Sequence, residues 1–277
     1  MPADQHDVRP GAEPATPAPA RDDGLPGRVA VISGGASGIG RALAVAYARA
    51  GVASVVGYHP GDPHDHTQVI REIEGLGGHA VAVPADVRDP AAVDALVDTA
   101  VERFGRLDIA VANAGVLRRA PLAELTDERW DDMLAVDLTG VLRLLRSAAR
   151  RMTGGGAMVA VSSIAGGVYG WADHAHYAAA KSGVLGLVRS LAVELAPHGI
   201  RANSVIPGLI ETPQSLDAEN SLGPEGLAAA GRGIPAGRVG RASEVARAIR
   251  FLTSDDASYV TGQQLVVDGG LTTRFPD

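Results

Sequence analysis

The chain has 277 residues, enough for one large domain or two small ones, and is 46% hydrophobic, ample for a sizeable core. Its formal net charge of −7 gives no support for nucleic acid or an anionic membrane as a partner. It has no cysteine, which excludes disulfides, thiol nucleophiles and Cys-ligated metals. Residues 1–27 are rich in Pro, Ala, Asp and Gly, with no signal-peptide core and no amphipathic period. They read as a flexible tail, and the protein is expected in the cytoplasm. No apolar run reaches the roughly 18 residues of a membrane span.

From Arg28 onward, short apolar runs alternate with amphipathic stretches. The pattern predicts a strand at 28–33, a helix at 41–50, a strand at 53–57 and a helix at 67–76. A strand at 80–84, a helix at 90–104 and a strand at 107–112 follow. One long helix is expected over 127–151, then a strand at 157–162 and a helix at 177–196. Strands at 201–206 and 264–267 flank a helix at 243–252. Such alternation implies a parallel sheet of seven strands with helices on both faces, in one domain spanning 28–277. Residues 211–238 are Gly- and Pro-rich and weakly periodic, as in a binding loop or lid. His64 and His66, near Asp62 and Asp65, read as a polar loop rather than a metal site.

The first strand runs into Ser33-Gly34-Gly35-Ala36-Ser37-Gly38-Ile39-Gly40, and a helix follows at once. Gly34, Gly38 and Gly40 form Gly-x-x-x-Gly-x-Gly, a relative of the dinucleotide fingerprint. Glycines let the backbone approach a ligand closely, and the helix N-terminus offers N–H groups to a pyrophosphate. No Gly-Lys-Ser/Thr follows, which excludes a Walker loop. Lys181 is the only lysine among 25 Lys and Arg residues, and it follows Tyr177 by four positions. On a helix that spacing puts phenol and ammonium on one face, where the cation favours phenolate.

Together these motifs resemble the short-chain dehydrogenase/reductase family, over nearly everything after residue 27. The glycine loop resembles its cofactor motif, with Ser33 where Thr is usual. Asp86-Val87 resembles the pair that meets the adenine. Asn113-Ala114-Gly115 resembles Asn-Asn-Ala-Gly, with Ala112 in place of the first Asn. Pro207-Gly208, followed by Ile210 and Thr212, resembles the segment at the nicotinamide end, and the stretch from Gly237 to Gly270 the C-terminal part. The resemblance implies a Rossmann-like, doubly wound α/β domain. It implies an NAD(P)-dependent oxidoreductase interconverting a ketone and a secondary alcohol. Ser163 (or the nearby Ser162) would polarise the carbonyl, Tyr177 would transfer the proton, and Lys181 would lower the Tyr pKa and bind the nicotinamide ribose. In the fourth helix the family's Asn is replaced by Asp137, expected to be a tolerated change.

After the second strand, His59 stands where NAD enzymes carry an acidic residue. The Tyr58-His59-Pro60 loop also resembles NADP-using members, so NADP(H) is favoured over NAD(H); Arg41 is a candidate for the phosphate. The loop at 211–238, Arg118 to Pro121 and Val168 to Trp171 are expected around a small or medium carbonyl substrate. Arg143, Arg146 and Arg150 recur at helical spacing, which suits an acidic carrier protein or simply a solvated face. The resemblance implies a homotetramer, or a dimer. The alternatives are a 3-oxoacyl-carrier-protein reductase and a nucleotide-binding protein without chemistry.

Overall fold

A computed structural model describes residues 23–273. The chain runs through β1 (Val29–Ile32), α1 (Gly38–Ala48), β2 (Ala53–Tyr58), α2 (His66–Gly75), β3 (Ala80–Pro84), α3 (Pro90–Phe104) and β4 (Ile109–Ala112). It continues through α4 (Asp127–Leu134), a π-helical segment (Ala135–Gly140), α5 (Val141–Ala149), β5 (Gly156–Val161), α6 (Ile164–Gly167) and α7 (Ala175–Leu195). The last part comprises β6 (Ile200–Pro207), β7 (Ile210–Glu211), α8 (Pro213–Leu216), α9 (Gly223–Gly231), β8 (Gly240–Arg241), α10 (Ala242–Thr253) and β9 (Gln264–Val267).

Among the described residues seven strands form one sheet in the order β3-β2-β1-β4-β5-β6-β9, and every pairing is parallel. The central strands are continuous apolar runs because both faces are covered: β1 and β4 are buried at every residue. One face packs against α3, α5 and α7 through Leu96, Leu144 and Val184. The other packs against α1, α2 and α10 through Leu43, Ile73 and Ile249. Local chemistry sets the element ends. In α3, Asp89 accepts the Ala91 N–H, Pro90 opens the helix, and Gly105 closes it at φ 78°.

The order of strands reverses between β1 and β4, and a crevice opens beyond their carboxyl ends. The expected doubly wound α/β fold is present, with four local differences. Helix α1 starts at Gly38, three residues before its expected start, because the glycines form its first turn. The helix expected over 127–151 is interrupted by the π-helical segment, which turns Asp137 inward. Residues 211–238 contain α8 and α9 instead of a plain loop, and the parallel β7–β8 pair brackets them. Only Leu227 gives α9 a buried large side chain, so its period was faint. Residues 1–22 of the expected tail lie outside the described residues, but 23–27 are not free. Leu25 is fully buried, and Asp23 pairs with Arg250.

Candidate active site

The crevice is a cavity of about 860 Å³. One half of it is built on a tight junction of β1 and β4. Ser33 Oγ accepts the N–H groups of Asn113 and Ala114, both at 3.1 Å. Asn113 Nδ2 donates to the Ser33 and Gly34 carbonyls at 3.1 and 2.9 Å. Gly34 takes a φ of 63°, and a side chain there would meet Ala114 Cα at 2.9 Å. Gly40 lies behind the loop, where a Cβ would stand 2.2 Å from the Gly34 carbonyl oxygen. Gly40→Ala is expected to lower stability by about 1–3 kcal/mol, read as the midpoint of urea unfolding; an unchanged midpoint would count against this packing.

Gly34, Ser37, Gly38, Ile39, His59, Asp86, Val87, Asn113, Ala114, Gly115, Pro207, Gly208, Ile210 and Thr212 all line the cavity, as do Ser163, Tyr177 and Lys181. Of the other sequence candidates, Gly40, Arg41, Tyr58, Asp137 and Val168 do not. Tyr58 stacks on His66 with ring centroids 3.8 Å apart, and Arg41 pairs with Glu72 at 2.9 Å. At the cavity end near β2, His59 Nδ1 accepts the Gly61 N–H at 3.0 Å, which leaves the ring's other nitrogen, 3.6 Å from Asp86, as the donor. Arg88 holds Asp86 at 2.8 Å, keeping its carboxyl below the usual range, and reaches Asp132 at 3.0 Å. Arg88 was missed, although it directly follows Asp86-Val87. Asp62 also lines the cavity, but its carboxylate is engaged by His64 at 2.5 Å.

The structure separates the two serines. Ser162 Oγ is buried and donates to the Lys181 carbonyl at 2.8 Å, bracing β5 against α7. Ser163 caps α6, accepting the Ala165 N–H at 3.2 Å, and faces the cavity beside Tyr177. Lys181 and Tyr177 share one face of α7, with Nζ 5.7 Å from the phenol ring centre. The expected downward pull on the phenol is present but outweighed. Burial raises the Tyr177 pKa; Lys181 and hydrogen bonding with Ser163 work against it, and Asp137 works with it. Asp137 does not line the cavity. It is fully buried behind it, 3.4 Å from Lys181 Nζ.

Toward the other end the walls are mostly apolar: Leu117, Trp171, Leu222, Leu227 and Leu271 line them. Trp171 stacks on His174 with centroids 4.0 Å apart, and the Tyr169 hydroxyl donates to the Leu271 carbonyl at 3.0 Å. Leu271 was missed because it comes from beyond β9, 102 residues from Tyr169. Of Arg118 to Pro121, only Arg118 lines the cavity; Arg119 pairs with Asp173 at 2.7 Å. Arg143 is half-buried and donates to the Val87 carbonyl, so the expected stripe of three arginines reduces to Arg146 and Arg150.

A family model described as "Enoyl-(Acyl carrier protein) reductase" matches residues 34–272. The chain is 45% identical to cis-4-hydroxycyclohexanecarboxylate dehydrogenase of Sinomonas cyclohexanicum, over 88% of this chain and 96% of that one. It is 39% identical to a 3-oxoacyl-[acyl-carrier-protein] reductase of Thermotoga maritima, over 89% and 98%. Among solved structures, a short-chain type dehydrogenase/reductase from Mycobacterium marinum superposes with a TM-score of 0.83 at 35% identity, covering 90% of this chain and 97% of that one.

Proposed function

Because the chain belongs to the short-chain dehydrogenase/reductase family, we propose that it is an NADP(H)-dependent oxidoreductase interconverting a small or medium ketone and its secondary alcohol. One observation carries this reading: Ser163, Tyr177 and Lys181 meet in the same cavity as the glycine loop. The residues fit a dinucleotide. Gly34 and Gly38 present only backbone to the cavity, and the first turn of α1 holds no acidic residue that would repel a pyrophosphate. Lys181 and the segment from Pro207 to Thr212 would hold the nicotinamide end.

A bound dinucleotide would supply or accept the hydride. The rest is the work of the side chains. Ser163 Oγ holds and polarises the carbonyl oxygen. Tyr177 Oη donates a proton to the forming alkoxide, or removes it in the reverse direction. The Lys181 ammonium opposes the burial that would keep the phenol protonated. The apolar walls around Trp171 and Leu222 exclude water and favour a hydrophobic substrate. Exposed apolar side chains at Val193 on α7 and Phe251 on α10 support contact between subunits, in keeping with a homotetramer.

NADP(H) is favoured because the carboxylates near the adenosine end are engaged, Asp62 by His64 and Asp86 and Asp132 by Arg88, while His59 offers a donor. Titration of nicotinamide fluorescence is expected to show NADPH at least about tenfold tighter than NADH, about 1.4 kcal/mol. His59→Asp is expected to erase that preference. Equal or tighter NADH binding by the unaltered protein would overturn the assignment. A second substrate reading, a 3-oxoacyl thioester on an acidic carrier protein, is supported by the Thermotoga relative and by exposed Arg146 and Arg150. Saturable turnover of such a thioester would decide for it.

A further inference from the structure

One side chain that departs from the family pattern, Asp137, touches the Tyr177–Lys181 pair. Asp137 lies in the π-helical segment between α4 and α5, fully buried. Its Oδ1 accepts the Val116 N–H at 2.8 Å. Its Oδ2 lies 3.4 Å from Lys181 Nζ and has no hydrogen-bond partner among the described residues. Lys181, itself 4% exposed, donates to the Val161 carbonyl at 3.2 Å. The loop after β4 closes over the pair at Gly115, where a Cβ would stand 3.1 Å from Nζ and 3.3 Å from Oδ1. The titratable and charged groups that act on this pair are few. Lys181 and Tyr177 face it from α7, Arg118 acts from the loop after β4, and Ser163 acts on the phenol from the end of β5.

An ammonium paired with a carboxylate presents less positive potential to a neighbouring phenol than an ammonium beside a neutral amide. We infer that Asp137 is a positioning residue that holds Lys181 as one half of a buried ion pair and so sets the pH at which Tyr177 exchanges its proton with substrate. This rests on the oxidoreductase reading above. Burial lifts the Asp137 carboxyl, against the pull of Lys181, the Val116 N–H and Arg118. Burial also works to strip the Lys181 proton, but Asp137 and then Tyr177 outweigh it and hold that group above its ordinary value. Carboxylate and ammonium therefore coexist over the range between the two groups. With the pair intact, phenolate forms only at higher pH than beside an unpaired lysine.

Asp137→Asn isolates the charge, since the amide oxygen can still accept the Val116 N–H. The measurement is kcat/KM for alcohol oxidation against pH, in the unaltered protein and in Asp137→Asn. The midpoint of the alkaline rise is expected to fall by about one pH unit, a tenfold change in proton affinity, with activity at each protein's own optimum within about tenfold. An unmoved midpoint, or a loss of several powers of ten, overturns the inference. Asp137→Ser, which also removes the carboxylate, carries the same test should the amide variant fail to fold. Phenolate absorbance, taken as a difference against Tyr177→Phe in each background, reads the same shift without turnover. A protein that shows the absorbance shift but never turns over a carbonyl or alcohol refutes the oxidoreductase reading and leaves the pairing standing. Turnover with an unmoved midpoint refutes the pairing alone.

Discussion

Tyr177→Phe is expected to lower kcat about a thousandfold, about 4 kcal/mol of barrier, while NADPH affinity stays within about threefold of its original value. The reasoning separates the phenol's two parts. Its ring packs with Leu117, Met133 and Ala165 in a small apolar cluster on the cavity wall, and phenylalanine keeps that packing. Its hydroxyl stands with Ser163 and Lys181 and, in the proposed mechanism, carries the proton of the reaction. A positioned acid or base contributes about 10²- to 10⁴-fold, so deleting the hydroxyl removes that contribution and little else. Steady-state kinetics and a fluorescence titration on the same preparation check both halves. A kcat within tenfold of the original would mean that another group moves the proton. Unchanged biological function despite lost turnover would favour a sensor or scaffold over an enzyme.

How much of this was legible in the sequence depended on how local each signal is. The strands were readable because full burial demands continuous apolar runs, as in Val29–Ile32. The Tyr177–Lys181 pair was readable because one helical turn fixes its geometry. The choice between Ser162 and Ser163 was not, since it turns on alternate faces of a strand end and on where the Lys181 carbonyl lies. The pairing of Arg41 with Glu72 across 31 positions, and the stacking of Tyr58 on His66, are decided by tertiary placement that no spacing rule contains. The π-helical segment was equally hidden. Residues 127–151 keep a helical period throughout, and only the inward turn at Asp137, held by the distant Val116 N–H, shows why the regular helix gives way.

Lys181→Met is expected to cost both activity and stability, and the two losses should separate in a double variant. The side chain is buried with its ammonium against Asp137, so removal leaves a carboxylate fully buried without its counter-ion. Breaking one half of a buried pair typically costs about 3–5 kcal/mol. Lys181→Met/Asp137→Asn removes both charges and is expected to recover at least half of that loss, read by chemical unfolding at neutral pH. It is not expected to recover turnover, because the cation that favours phenolate is still missing. The single variant should also depend on pH in a definite sense. Burial already raises the Asp137 carboxyl in the folded protein, and losing Lys181 raises it further. A carboxyl raised on folding destabilises above its folded value, and the loss fades as pH falls through that value toward the unfolded one. Lys181→Met should therefore regain stability on mild acidification, and the double variant should not. If the two variants share one stability at every pH, the buried carboxylate is not what the lysine holds in place.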